Sequence, residues 1–128
     1  AIIDCEMPGK DGFDILQYIR GNRKGVNFTM PVLMMSAATP QRKVEKARDN
    51  GANFIVAKPL SPALLLDRIV WMARSNRDFI DHDNYRGPDR RFHNVPLVGG
   101  IEERRESILR LTETPVRELS QDEIDGLF

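Results

Sequence analysis

Three short apolar runs lie in the first sixty residues, and each stops at a polar side chain. Ala1-Ile2-Ile3 ends at Asp4, Pro31-Val32-Leu33-Met34-Met35 ends at Ser36, and Phe54-Ile55-Val56-Ala57 ends at Lys58. Short apolar runs without alternation predict strands buried on both faces. Between them the period changes. Phe13, Ile15, Leu16 and Ile19 recur at helical spacing up to Arg20, and Gly21-Asn22 supply a stop. Gln41 to Asn50 reads as a charged, exposed helix closed by Gly51. Ser61-Pro62 places an N-cap and a first-turn proline before a helix carrying Leu65, Leu66, Ile69, Val70 and Met72. Met7-Pro8-Gly9-Lys10-Asp11-Gly12 is turn chemistry, with a proline and two glycines that exclude regular structure.

Strand–helix repeated three times predicts an α/β fold, a doubly wound parallel sheet covered on both faces. In open parallel sheets the functional crevice lies outside the C-terminal ends of the strands. Asp4, Ser36 and Lys58 then converge at one sheet edge. Taken singly, each is equally a capped strand end or half of a solvated salt bridge. Together, a carboxylate, a hydroxyl and an ammonium suit a phosphoryl group. Asp4 is the candidate nucleophile, Lys58 the neutralising charge and Ser36 a hydrogen-bond donor to a phosphoryl oxygen. A carboxylate attacking a phosphoryl donor meets like-charge repulsion, which calls for a hard cation such as Mg²⁺ on oxygen ligands.

Composition narrows the class. At 128 residues, with 41% hydrophobic and 30% charged side chains, the chain has the make-up of a small globular protein. Nineteen basic residues balance nineteen acidic ones, so no global field favours DNA or an anionic membrane. No apolar run approaches a membrane span, and a lone Cys5 excludes an internal disulfide framework, so the expected setting is cytoplasmic. The balance hides a division: residues 1–74 carry eleven basic and seven acidic side chains, residues 75–128 eight and twelve. The expected organisation is a compact unit over 1–74, a polar, arginine-rich linker over 75–100, and a helical tail over 101–128.

The ordered set Ile3-Asp4-Cys5-Glu6-Met7-Pro8-Gly9-Lys10-Asp11-Gly12, Pro31 to Ala37, and Gly51-Ala52 through Lys58-Pro59 resembles the receiver domain of two-component response regulators. The resemblance implies the flavodoxin-like five-stranded sheet in the order 2-1-3-4-5, of which this chain carries the last three strands. It implies that Asp4 accepts phosphate from a histidine kinase, that Ser36 is the switch hydroxyl, and that Lys58 pairs with the phosphate. Asp4 and the backbone carbonyl of Glu6 would contribute to a Mg²⁺ site. It implies a signalling module rather than an enzyme. Two departures matter. The family's acidic pair, which follows its first strand and completes the cation site, is missing, so the chain reads as the second half of a longer receiver. The usual aromatic switch position, three before the lysine, is Ile55, with the aromatic next door at Phe54. Aspartyl-phosphate hydrolases of the haloacid-dehalogenase type want Asp-x-Asp followed by Thr or Val, whereas the run here is Asp4-Cys5-Glu6-Met7.

Beyond the compact unit, the chain is expected to be largely extended up to a short C-terminal helix. Cys5, Trp71 and Asp81-His82-Asp83 read as core packing, helix packing and a solvated linker. Tyr85, Arg86, Asp89, Arg90 and Arg91 form the one dense chemical feature. Arg86 and Asp89 make Arg-x-x-Asp, which resembles the guanine-clamping motif of cyclic-di-GMP inhibitory sites, and the stretch is similar to the arginine-rich tail of receiver-like cyclic-di-GMP effectors of flagellar motors. Ser120 and Glu123 make a capping box that starts a helix with Leu119, Ile124, Leu127 and Phe128 as its apolar docking face. That decapeptide resembles the N-terminal segment of the flagellar motor-switch protein that docks on phosphorylated chemotaxis receivers, and could bind its own domain or compete for another.

Overall fold

The computed structural model describes residues 1–90 and 118–128. Strands β1 (Ile2–Asp4), β2 (Leu33–Ser36) and β3 (Phe54–Ala57) form one parallel sheet in that order. The register sets Asp4 against Met35 and Ser36 against Ala57, so the polar residue at each strand end reaches the same edge of the sheet. Consecutive residues Leu33 and Met34, and Ile55 and Val56, are fully buried, so the sheet is covered on both faces as its unalternated pattern requires.

The connections are α1 (Gly12–Gly21) and α2 (Gln41–Asp49), with α3 (Pro62–Arg74) after β3. Asp11 and Asp14 close a capping box on α1, and Ser61 caps α3 ahead of its first-turn proline. Gly12 opens α1 hard against the end of β1: a Cβ there would lie 2.2 Å from the Asp4 carbonyl oxygen, so only glycine lets the helix start this close to Asp4. Helices α1 and α2 bury Leu16, Val44 and Ala47 completely. Helix α3 buries no residue completely, packs Leu65, Trp71 and Met72 against the core, and leaves Leu66, Ile69 and Val70 exposed. Among the described residues β1 pairs only with β2, and Ile2 on it is half exposed.

One expectation needs correction. Part of the stretch read as an extended linker is a β-hairpin, with β4 (Phe79–His82) antiparallel to β5 (Tyr85–Pro88). Its strands are four residues each and carry charges, so they show no apolar alternation, and their support comes from distant parts of the chain. Phe79 meets Phe28 edge-on at 5.0 Å, and Tyr85 is buried. Gly51, at φ +87°, leaves room for the Arg86 carbonyl, which a Cβ there would approach to 2.0 Å. The short helix expected at the C-terminal end is α4 (Gln121–Asp125), started by Ser120 and Glu123 in a capping box. The remainder of 101–128 before Glu118 lies outside the described residues, as does Arg91.

Candidate functional site

Lys58 Nζ forms an ion pair with Asp4 Oδ2, and Asp4 Oδ1 accepts a hydrogen bond from the Glu6 amide at 3.1 Å. These contacts, the Lys58 bond first, hold the Asp4 carboxyl below the usual carboxylate range. Asp4 is therefore an anion at neutral pH, about a quarter exposed and open to an incoming electrophile. Lys58 is brought there because its amide continues the sheet pairing, donating to the Ser36 carbonyl at 2.8 Å, and the Lys58–Pro59 peptide that follows is cis.

Ser36 reaches the same edge but faces a different partner. Its buried hydroxyl lies 2.8 Å from Glu6 Oε1 and 2.5 Å from the Ala38 carbonyl oxygen, sharing one proton between two acceptors. The Glu6 carboxylate also accepts from the Ala37 amide at 3.3 Å and pairs with Lys43 Nζ at 2.5 Å. Burial pushes the Glu6 carboxyl up, but the bonds from Lys43, Ser36 and Ala37 together outweigh it and leave the group below its ordinary range. The Glu6 side chain and Lys43 are thus part of this edge although sequence reasoning assigned Glu6 only a backbone carbonyl and Lys43 nothing. The available signal was positional: Lys43 lies in the first turn of the helix that follows Ser36. Cys5 is buried, and burial, aided by the Glu6 charge, pushes its thiol up to about 11, which removes it as a nucleophile.

The divalent-cation donors expected from the sequence are the Asp4 carboxylate and the Glu6 carbonyl. Among the described residues no three acidic, histidine or cysteine side chains gather around one point. Mg²⁺ takes about six oxygens in near-octahedral geometry. Among the described residues the donor set is incomplete.

The arginine-rich stretch belongs to the hairpin. Arg86 Nε lies 3.5 Å from Asp81 Oδ1. Arg90 stacks its guanidinium 4.2 Å from the Tyr85 ring centre and pairs with Asp49 at 2.8 Å. Tyr85 donates to the Pro88 carbonyl at 2.6 Å, and Arg77 donates to the Asp89 carbonyl. Tyr85 and Arg86 help line a polar cleft of about 240 Å³ with Gln17, Arg20, Asp49 and Asn50. The terminal segment lies on its own domain. Ile124 and Phe128 are buried, Leu119 and Leu127 half-buried against the core, and the Phe128 ring is 5.2 Å from Phe54.

The chain is 35% identical over 78 residues to the sensory/regulatory protein RpfC of Xanthomonas campestris, covering 60% of this chain and 11% of that protein. It is 31% identical over 69 residues to the chemotaxis protein CheY-3 of Vibrio cholerae, covering 54% and 52%. The chain thus spans about half of CheY-3 and far less of RpfC. Among solved structures, the CheX-CheY-BeF3-Mg complex of Borrelia burgdorferi matches with a TM-score of 0.50 and 28% identity over 58% of this chain and 52% of that one. The three-stranded parallel sheet with its helices is the flavodoxin-like receiver fold, and the response regulator receiver domain family matches residues 1–70, more than half of the chain; the protein belongs to that family.

Proposed function

We propose that Asp4 is the phosphoacceptor of a two-component phosphorelay, loaded by a histidine kinase. In the transfer an Asp4 carboxylate oxygen forms a bond to phosphorus. The bond from phosphorus to the donor nitrogen breaks, and its electron pair returns to the donor histidine. The observation that carries this reading is the Asp4–Lys58 ion pair at the C-terminal edge of a parallel sheet. Lys58 is placed to neutralise the added charge, and Ser36 to donate to a phosphoryl oxygen once it leaves Glu6. Asp4 and the Glu6 carbonyl would be two of the oxygens around Mg²⁺, a cation that the similar CheX-CheY-BeF3-Mg complex contains. The likeness to a chemotaxis receiver and the motor-switch-like segment Leu119–Phe128 support an output to flagellar motility. In a longer chain that carries the acidic pair, acetyl phosphate and Mg²⁺ should add one hydroxylamine-labile phosphoryl group, seen by mass spectrometry, whereas the 128 residues alone should load poorly. Asp4→Asn should abolish it and Lys58→Ala reduce it, and a modification that survives Asp4→Asn removes Asp4 as the acceptor.

A second reading is that Tyr85, Arg86, Asp89 and Arg90, with Arg91, bind cyclic-di-GMP and make the chain a motor adaptor. It is supported by the polar cleft at Tyr85 and Arg86 and by the Arg90 guanidinium stacked on an aromatic ring. Binding would have to replace the pairs these arginines make with Asp81 and Asp49. Calorimetry should then show binding that Arg86→Ala and Arg90→Ala each weaken about tenfold, the loss of one charged hydrogen bond of roughly 1.5–3 kcal/mol. Equal heats with GTP would reduce the stretch to nonspecific charge.

A further inference from the structure

Four arginines around the hairpin fall into two pairs, and each pair converges on a single carboxylate oxygen. Arg23 Nε and Arg86 Nε lie 3.0 and 3.5 Å from Asp81 Oδ1. Arg48 Nε and Arg90 Nη1 lie 3.3 and 2.8 Å from Asp49 Oδ1. In each pair one arginine comes from the receiver body, Arg23 just after α1 and Arg48 in the last turn of α2. The other comes from β5 or just after it. Asp49 and Arg86 both line the polar cleft of about 240 Å³, so the two pairs stand on one rim. The Asp81 and Asp49 side chains are 40% and 48% exposed, and ion pairs that open to solvent hold weakly. Arg86 Nε, shielded from solvent, has no hydrogen-bond partner among the described residues, because its 3.5 Å approach to Asp81 is too long for one.

We propose that these two arginine pairs are seats for the two phosphodiester groups of a cyclic dinucleotide, filled in the free protein by the carboxylates of Asp81 and Asp49, which the ligand displaces. The proposal rests on the second reading above, that the arginine-rich stretch binds cyclic-di-GMP. It adds Arg23 and Arg48, which lie outside that stretch, to the site. A guanidinium presents forked donors that match a carboxylate and a phosphodiester alike. An oxygen that draws two guanidinium groups from separate elements therefore marks where a phosphodiester oxygen sits. The cleft is smaller than the roughly 300 Å³ at which pockets for drug-sized ligands begin. It has room for one base and leaves the phosphates outside, on the rim where the seats are. Displacing Asp81 also provides Arg86 Nε with the acceptor it lacks. Because each internal pair is open to solvent, the carboxylates lower the affinity without closing the site. They discriminate as well: a cyclic dinucleotide engages both seats at once, whereas a mononucleotide, with its phosphates in one cluster, fills one.

Calorimetry on the full chain with cyclic-di-GMP reads the competition by its sign. Asp49→Asn and Asp81→Asn keep the side-chain volume and remove the competing charge, so each should tighten binding about threefold or more. Asp67→Asn, the same charge change at an exposed position on α3, should leave it unchanged. Arg23→Ala and Arg48→Ala should each weaken it about tenfold. Phe79→Ala loosens the hairpin's hold on Phe28 without touching a charge and should also weaken binding. An unseated hairpin thus has the opposite sign to a vacated seat. Asp49 lies on α2 rather than on the hairpin, so Asp49→Asn is the deciding arm. Unchanged or weaker binding by Asp49→Asn overturns the competition, and Arg23 and Arg48 variants that bind as the parent does overturn the paired seats. In either case a loss of binding in Arg90→Ala leaves the reading of the arginine-rich stretch standing. GTP binding as tight as that of cyclic-di-GMP reduces the seats to nonspecific charge. No heat from the parent or from the double variant Asp49→Asn with Asp81→Asn overturns the cyclic-di-GMP reading, and the seats with it.

Discussion

Arg20 is 4% exposed, yet it is charged and, among the described residues, no carboxylate pairs with it. Its guanidinium is held by oxygens that precede the strands: Nε donates to the Gly51 carbonyl at 2.9 Å, Nη1 to the Phe28 and Met30 carbonyls at 2.7 and 2.9 Å, and Nη2 to Asn53 Oδ1 at 3.2 Å. Burial lowers its pKa to about 10, which still leaves it protonated at neutral pH. The arrangement satisfies three loop carbonyls that the sheet ladder does not reach, at the end of the sheet opposite Asp4. Arg20→Met would fill the volume and leave those acceptors bare. The expected cost is about 3 kcal/mol in urea unfolding, because unsatisfied buried acceptors cost more than the bonds contribute. Arg20→Lys, which has no fork to span the cage, should recover less than half of it. A loss for Arg20→Met under about 1 kcal/mol would mean that water replaces the guanidinium. Nothing in the sequence singles out Arg20, which reads as the last charge of an amphipathic helix. Its role follows from where Gly51 and Met30 arrive in space, as that of the Glu6 side chain follows from Ser36.

At the scale of elements, legibility tracks how local the cause is. The three parallel strands and three helices were readable because apolar runs, caps and turn residues are written into neighbouring positions. Ser61-Pro62 begins α3, and Phe54–Ala57 is β3 to the residue. The convergence of Asp4 and Lys58 was readable for the same reason, since strand ends share an edge once the strands are parallel. The hairpin was not. Its residues Asp81, Arg86 and His82 are polar, and its seat depends on Gly51 and Gly87, thirty-six positions apart: a Cβ on Gly87 would come within 2.5 Å of the Gly51 Cα. The terminal segment lies between these cases. Its capping box and apolar face are local, and α4 forms where they predict. Whether it lies on its own domain or another is settled only by pairings such as Gln121 with Ala57, across more than sixty residues of chain.

Among the described residues, the exposed apolar side chains gather most densely on α3. Leu66, Ile69 and Val70 are exposed on α3, which buries nothing completely, and β1 offers an edge that no described strand pairs, with Ile2 half exposed on it. A contiguous helical stripe and an open strand edge are two features that drive chains together, the first by area removed from water and the second by unpaired backbone groups. Net charge does not oppose contact, since basic and acidic residues balance. The 128-residue chain should therefore associate in sedimentation velocity, its mean coefficient rising with concentration through the micromolar range. Leu66→Glu with Val70→Lys places an opposite-charge pair one turn apart on that stripe, which preserves the helix while removing apolar area. This double variant should move the distribution toward monomer with the far-ultraviolet dichroism unchanged. Val26, almost fully exposed but isolated in the loop before β2, supplies the control: Val26→Lys removes a solvent-facing apolar side chain without touching the stripe and should sediment as the parent does. If both variants sediment as the parent, contacts elsewhere drive association and α3 is an ordinary solvated helix.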